Sequence, residues 1–189
     1  MDKRFTLLLL LLLSLMAIFG PYIRRSAALL LGGKMLAVIS AQTDEIQDIE
    51  TLRNDSYKQE YKIDVLSFDQ GEELYHPSLG DLGFKHNFFI DVTGKFDVIQ
   101  GGRYHFRVSS DDGYRLTIDG QVQGEFLKDR SYNTDKFEVN LSKGRHAFKV
   151  EYFQRYSQLG LEVAYKRVED KKFTLVGKDT EFLRFLRYR

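Results

Sequence analysis

Apolar residues occupy every second position in two runs near the middle of the chain: Tyr104, Phe106 and Val108, and then Tyr114, Leu116 and Ile118. A period of two is typical of a β-strand that buries one face in a core. The second run ends at Asp119-Gly120, a dipeptide that favours a tight hairpin turn because glycine readily adopts positive φ. We therefore predict two strands separated by residues 109–113 and followed by a hairpin turn.

The segment between these two strands reads SSDDG and contains adjacent aspartates, Asp111 and Asp112. Segments that connect strands often carry binding residues, because the strands hold them in place. The two carboxylates are therefore candidate binding groups. The other interpretation is structural, with each carboxylate accepting backbone N–H bonds within the turn.

The segment GGRYHFRVSSDDGYRLTIDG, at 101–120, resembles the signature hairpin of the β-sandwich module first described in anthrax protective antigen. Three further motifs follow the family order: FFIDVTGKFDV at 88–98, VNLSKGRHAFKVEYF at 139–153 and GLEVAYK at 160–166. The resemblance covers roughly residues 57–167. It implies a mainly β fold, an antiparallel β-sandwich over that range.

The resemblance also implies a ligand. In sugar-binding fungal members of the family, the two aspartates are joined by a cis peptide bond and hold Ca²⁺, whose free positions take sugar hydroxyls. Ca²⁺ needs six to eight oxygen ligands and accepts hydroxyls among them. Asp111 and Asp112 are then both metal ligands and ligand-binding residues.

One departure from the family concerns the second loop of the site. The fungal adhesins take an asparagine ligand from this loop, whereas residues 154–158 of this chain read QRYSQ and contain neither Asn nor Asp. The loop at 121–134 is long and contains aromatic and charged residues, which are suited to stacking on sugar rings or to packing a sandwich edge. We expect further ligand contacts from Tyr114, Tyr132 and Arg155.

An apolar run at 5–20 follows Lys3 and Arg4 and predicts a membrane anchor or a signal peptide. As a helix, sixteen residues span about 24 Å, and Tyr22 and Ile23 extend the run towards the ~30 Å of a bilayer core. No small-residue cleavage site follows, so an uncleaved anchor over residues 1–25 is favoured. A transmembrane or anchor helix is therefore expected before the sandwich.

A second largely apolar stretch covers residues 26–41, in which Gly33, Ala37 and Ala41 recur at every fourth position. On a helix this spacing places small residues on one face, where they allow close packing against a partner. We predict an apolar helix followed by a short helical stalk over residues 26–56. The alternatives are an ordinary amphipathic or core helix, a second membrane span that forms a helical hairpin, and one long helix that runs from the membrane to the domain.

The segment 168–189 ends in TEFLRFLRYR, which interleaves aromatic and basic residues. A helix here would present Phe182, Phe185 and Arg187 to a partner groove or an anionic membrane surface. The alternative is that the aromatic residues pack on the sandwich itself.

Composition limits the remaining choices. The 189 residues carry a net charge of +1 and no cysteine, so nothing indicates nucleic-acid binding, and disulfides or thiol chemistry are excluded. Residues 42–167 carry a net charge of −5 between two basic ends. The four histidines lack metal-ligand spacing and no catalytic constellation is visible, so we expect no enzyme.

Two hypotheses follow. The first is a carbohydrate-binding module, with or without Ca²⁺, held at a bacterial cell membrane and facing the periplasm or the exterior. The second is a non-catalytic scaffold or assembly subunit of a bacterial envelope complex, which docks protein partners through its N-terminal helices and its C-terminal tail.

Overall fold

The computed structural model describes residues 33–54 and 56–188, and these two ranges contain fourteen β-strands and no helix. The mainly β prediction is confirmed. The strands are β1 Met35–Ala41, β2 Tyr57–Ile63, β3 Ser67–Gly71, β4 Tyr75–His76, β5 Gly80–Asp81, β6 Phe88–Val98, β7 Gly102–Asp111, β8 Tyr114–Ile118, β9 Gln121–Phe126, β10 Asn133–Leu141, β11 Gly144–Gln154, β12 Leu159–Arg167, β13 Thr174–Leu175 and β14 Leu183–Phe185.

The strands form two antiparallel sheets that share one core. The larger sheet has the order β2-β1-β6-β11-β8-β9, and β14 pairs with β6. The smaller sheet has the order β10-β7-β12-β13, with β3 paired to β12, while β4 and β5 form a separate two-stranded sheet. Buried residues of both sheets, such as Val92 and Val150 from one and Val108 and Val163 from the other, belong to a single hydrophobic cluster.

The alternating runs around the aspartates form the predicted strands β7 and β8, and their six apolar residues are all buried. The turn after β8 is also as predicted. Asp119 and Gly120 both have positive φ, 51° and 77°, which matches the twist of the strands that a two-residue hairpin loop joins.

The predicted helix and stalk at 26–56 are wrong wherever the structure describes them. Met35–Ala41 is a strand that pairs with both β2 and β6, and its residues alternate between buried and half-buried from Met35 to Ile39. Ala37 is fully buried in the core, and a side chain on Gly33 would lie 2.6 Å from the backbone nitrogen of Ile63. These small residues serve strand packing, so they offer no helix face to a partner.

The segment 42–54 is irregular rather than a stalk. Ile46 and Ile49 are buried against Phe89 and Phe153 in a small second cluster, on the face of the larger sheet that points away from the main core. The segment therefore covers part of the sheet.

The C-terminal tail is part of the sandwich. Phe182 and Phe185 are 8% and 5% exposed, and Phe185 packs against Phe96 and Tyr165 with ring centroids 5.8 and 5.7 Å apart. The helix predicted there is wrong, and the two phenylalanines are not available to a partner, although Arg187 is exposed. The sandwich therefore extends beyond the predicted limits of 57–167, from Met35 to Phe185.

Within the two described ranges, no helix is both long and apolar enough to cross a membrane. The anchor predicted at residues 1–25 lies outside those ranges.

Candidate functional site

The two aspartates lie where β7 ends and β8 is about to begin. The peptide bond between Asp111 and Asp112 is cis, and the Ser110 hydroxyl donates a 2.7 Å hydrogen bond to the carbonyl oxygen of Asp112. Gly113 follows because nothing larger fits: a Cβ there would lie 2.5 Å from the carbonyl oxygen of Phe126 and 2.8 Å from that of Lys128. The DDG motif is thus packed directly against the backbone of the loop after β9.

The Asp112 carboxylate is held by backbone donors from two loops. Its Oδ1 accepts the N–H of Arg130 at 3.1 Å, and its Oδ2 accepts the N–H of Arg155 at 2.8 Å. Burial raises the pKa of Asp112, and these two N–H groups partly oppose the rise. The carboxylate therefore connects the hairpin with the loops that follow β9 and β11.

The Asp111 carboxylate is equally enclosed, with the residue 8% exposed and Asp112 5% exposed. Burial and the neighbouring charge of Asp112 raise the pKa of Asp111 to about 6, although the N–H of Tyr132 and the charge of Arg130 favour its ionised form. Two carboxylates that repel each other in a desolvated place form a site that favours a cation or hydroxyl donors.

The loop after β11 is fixed by its own side chains. The Tyr152 hydroxyl is hydrogen-bonded to the carbonyl oxygen of Asp111 and to Oε1 of Gln154. Gln154 Nε2 donates to the carbonyl oxygens of Tyr156 and Gln158 at 2.7 and 2.8 Å. The amide that stands nearest in sequence to the family's asparagine ligand is therefore engaged within its own loop.

Arg130 is the main residue of the site that the sequence did not single out. Its side chain is 9% exposed, and its guanidinium bonds Asp135 Oδ2 at 2.7 Å and Ser110 Oγ at 3.0 Å. The same group lies 4.5 Å from the ring centroid of Phe126. The only signal in the sequence was its place in a loop rich in aromatic and charged residues.

Exposed aromatic residues lie on the loops that contact the two aspartates. Tyr132 is 38% exposed and lies over Gly160, where a Cβ would approach its ring to 2.9 Å, and Gly160 is the strand partner of Asp111. Tyr156 is 53% exposed, and the guanidinium of Arg155 lies 5.1 Å from its ring centroid.

Of the predicted contact residues, Tyr132 and Arg155 are on these loops. Arg155 is shared between Glu45, at 2.9 Å, and Asp129, at 3.3 Å, so it also ties the loops together. Tyr114 is different: it is 1% exposed and donates its hydroxyl to Asp135 Oδ2 at 3.0 Å. Its predicted ligand contact is wrong because the alternation of β8 turns its ring into the core.

The donor chemistry of the two aspartates is compatible with Ca²⁺, which prefers carboxylate and carbonyl oxygens. Each Oδ atom of Asp112 accepts one backbone N–H and retains a second lone pair. Among the described residues no group of three or more His, Cys, Asp or Glu side chains is arranged to hold a metal. Asp111 and Asp112 would therefore supply the only side-chain carboxylates of that set, and other oxygens would have to complete the shell.

The sequence matches the family model described as PA14 domain over residues 78–176, more than half of the chain. No curated protein sequence gives a match. Among solved structures, the chain is similar to the PA14 domain of the MpAFP antifreeze protein, with 13% identity, a TM-score of 0.63 and coverage of 76% of this chain and 86% of that one.

Two further similar structures are associated with sugars. The PA14 sugar-binding domain from an RTX adhesin is 16% identical with a TM-score of 0.61, covering 76% of this chain and 94% of that one. The A domain of epithelial adhesin 6 from Candida glabrata, in complex with Galβ1-3GlcNAc, is 12% identical with a TM-score of 0.57, covering 84% and 93%. At these identities the similarity shows a shared fold.

Proposed function

The chain belongs to the PA14 domain family, and from this premise we propose that it binds carbohydrate at the Asp111-Asp112 hairpin. The observation that carries the proposal is the pair of buried, adjacent carboxylates, which backbone N–H groups hold at the end of β7 beside exposed tyrosines. Two similar structures, a sugar-binding domain and an adhesin domain in complex with a disaccharide, support the same role.

The chemistry of the site suits a sugar. A carboxylate is an acceptor for sugar hydroxyls, and such charge-assisted bonds are stronger than neutral ones. The exposed faces of Tyr132 and Tyr156 offer apolar surface to the C–H face of a pyranose ring, and their hydroxyls add polar contacts. Because backbone hydrogen bonds already hold Asp112, little ordering accompanies binding.

Ca²⁺ is part of the proposal, with Asp111 and Asp112 as its protein carboxylates. When bound, the ion supplies positive charge and coordination positions for sugar hydroxyls. The residues of this chain keep the two carboxylates adjacent and in a desolvated place, where burial and then the charge of Asp112 raise the pKa of Asp111. The proposed role is binding without catalysis.

The proposal places the module at a bacterial cell membrane, facing the periplasm or the exterior. The apolar run at 5–20, preceded by Lys3 and Arg4, supports a tether. A tethered binding domain of this kind would hold glycans close to the cell envelope.

The test is calorimetry on the detergent-solubilised full chain, after a glycan array has selected a ligand; Galβ1-3GlcNAc and lactose are the first probes. We expect binding that EDTA weakens and that Asp111→Asn and Asp112→Asn abolish. Asp69→Asn is the matched control, because Asp69 is an exposed aspartate on β3.

Three outcomes would count against the proposal. No binding to any glycan, with or without calcium, overturns it. If the two hairpin variants are folded by circular dichroism and bind glycan as well as the unchanged chain does, the binding site lies elsewhere. Binding that EDTA leaves unchanged removes calcium from the proposal.

A further inference from the structure

A cavity of about 740 Å³ lies far from the aspartate hairpin along the larger sheet. On β11, Gln154 precedes Arg155 of the sugar site and pairs with Phe88, whereas Ala147 lines the cavity and pairs with Lys95. Seven residues separate the two positions, or about 23 Å along a strand. The cavity and the hairpin are therefore separate sites.

The lining of the cavity is cationic. It includes four basic residues and no acidic one, namely Lys34, Lys95, Arg145 and Arg187. Two carboxylates pair with lining cations: Asp179 bonds Lys34 at 2.9 Å and Asp97 bonds Arg145 at 2.9 Å.

Arg184 adds a fifth positive charge, since it helps to lower the pKa values of both Asp97 and Asp179. Among the described residues, these five cations and two carboxylates make the region predominantly basic.

Apolar side chains also line the cavity, and its rim is well fixed. Ala147, Phe148 and Leu186 contribute apolar surface beside the cations. The N–H of Leu186 donates to the carbonyl oxygen of Lys95 at 2.9 Å, and the N–H of Tyr188 donates to that of Gly33 at 2.8 Å. The tail is therefore bonded along one rim, and the cavity is a formed feature of the fold.

We propose that this cavity binds the phosphate group of an anionic membrane lipid. The inference rests on the tether of the proposed function, because the chain enters the described range at Gly33, on the rim of the cavity, thirteen residues after the apolar run at 5–20. Cations beside apolar surface complement a lipid whose phosphate and glycerol lie at the membrane interface. The hairpin would then stand away from the membrane.

Charge also argues against the other obvious occupant, the N-terminal segment of the same chain. Residues 1–32 contain four basic residues and one acidic residue. A basic segment is poorly suited to a basic cavity, whereas a lipid phosphate has the complementary sign.

The first experiment measures the accessibility of Lys95 in the full chain, which is inserted in nanodiscs, by acetylation and mass spectrometry. We expect labelling of Lys95 to fall about threefold when phosphatidylglycerol replaces part of the phosphatidylcholine, and to recover in about 1 M NaCl. Lys136, an exposed lysine on β10 of the other sheet, is the control and should not change.

Equal labelling of Lys95 in both lipid compositions overturns the proposal. Low labelling of Lys95 in both compositions and in detergent micelles also overturns it, since residues 1–32 would then cover the cavity.

The second experiment measures lipid binding in the absence of a membrane. Dihexanoyl phosphatidylglycerol is titrated into the detergent-solubilised full chain, and the shift in unfolding temperature is followed. Lys95→Gln combined with Arg187→Gln should raise the apparent Kd about fivefold or more, because each charge adds to the attraction for phosphate. Lys136→Gln should leave it unchanged. Inorganic phosphate that gives the same shift as the lipid overturns the lipid assignment.

Separate experiments test the membrane tether and the lipid site in the cavity. Carbonate extraction of membranes tests whether the chain is embedded, and the titration in detergent tests the cavity alone. The double variant should keep the glycan affinity of the unchanged chain, since its two positions lie outside the hairpin site.

Discussion

The backbone N–H of Arg155 donates a 2.8 Å hydrogen bond to Oδ2 of Asp112, across 43 residues of sequence. With the Arg130 N–H on Oδ1, it makes this carboxylate a junction of three chain segments. The aspartate therefore has a structural role that is separable from the proposed role in binding, and experiments on stability can isolate the structural one.

Asp112→Asn should lower the free energy of unfolding by about 1–3 kcal/mol, because one of two buried N–H donors then faces an amide NH₂ instead of an oxygen. Urea denaturation in EDTA measures the change. Asp69→Asn should stay within about 0.5 kcal/mol of the unchanged chain, since Asp69 is exposed. If Asp112→Asn is equally neutral, the two hydrogen bonds contribute nothing to stability.

The raised pKa of Asp111 predicts a pH dependence of stability. Between about pH 4 and pH 6 the folded carboxyl, with its pKa of about 6, holds more protons than the unfolded one, so this group makes stability fall as pH rises. Asp111→Asn lacks this contribution. Its stability relative to the unchanged chain should therefore improve through that window and level off above about pH 7.

This comparison uses urea denaturation in EDTA at several pH values, so that bound calcium does not contribute. Asp112→Asn provides a second test of the raised pKa, since removal of the Asp112 charge should lower the pKa of Asp111. A stability difference for Asp111→Asn that is constant with pH would contradict the raised pKa.

Gly113→Ala should destabilise the fold by about 2 kcal/mol or more, because its Cβ would lie 2.5 Å from the carbonyl oxygen of Phe126 and backbone must move. Thermal unfolding detects the loss, and glycan affinity should fall with it. Gly71→Ala is the matched control: its nearest neighbour would be 4.0 Å away, and it should be nearly neutral. A neutral Gly113→Ala would mean that the loop after β9 yields easily.

Phe185→Ala should cost about 3–5 kcal/mol, since this nearly buried ring packs against Phe96, Phe148 and Tyr165. Chemical denaturation is the measurement. Leu52→Ala, at a position that is 92% exposed, should change stability by less than about 0.5 kcal/mol. Equal effects of the two substitutions would show that the tail is not integral to the core.

The central strands were readable from the sequence because each has one buried and one half-exposed face, which gives a clear period of two. Tyr104 and Leu116 are examples, and the Asp119-Gly120 turn was equally clear because its backbone conformation favours that dipeptide. The place of the aspartate pair between these two strands was equally visible, whereas its expected ligand came only from the resemblance.

The errors have a physical cause. The spacing of Gly33, Ala37 and Ala41 predicts a helix. The strand at Met35–Ala41 is buried on one face and half-buried on the other, so it has few polar positions to reveal its period. The contacts of Arg130 and Gln154 join residues far apart in the chain or within a folded loop, and no local spacing encodes them.

One edge of β6 pairs with two strands: with β1 along residues 88–94 and with β14 along residues 96–98. The first and last strands of the described ranges thus lie one after the other along the same edge of β6. During translation this edge stays partly unpaired until Phe185 has left the ribosome, so the sandwich closes late, and a truncated nascent chain exposes a strand edge that invites aggregation.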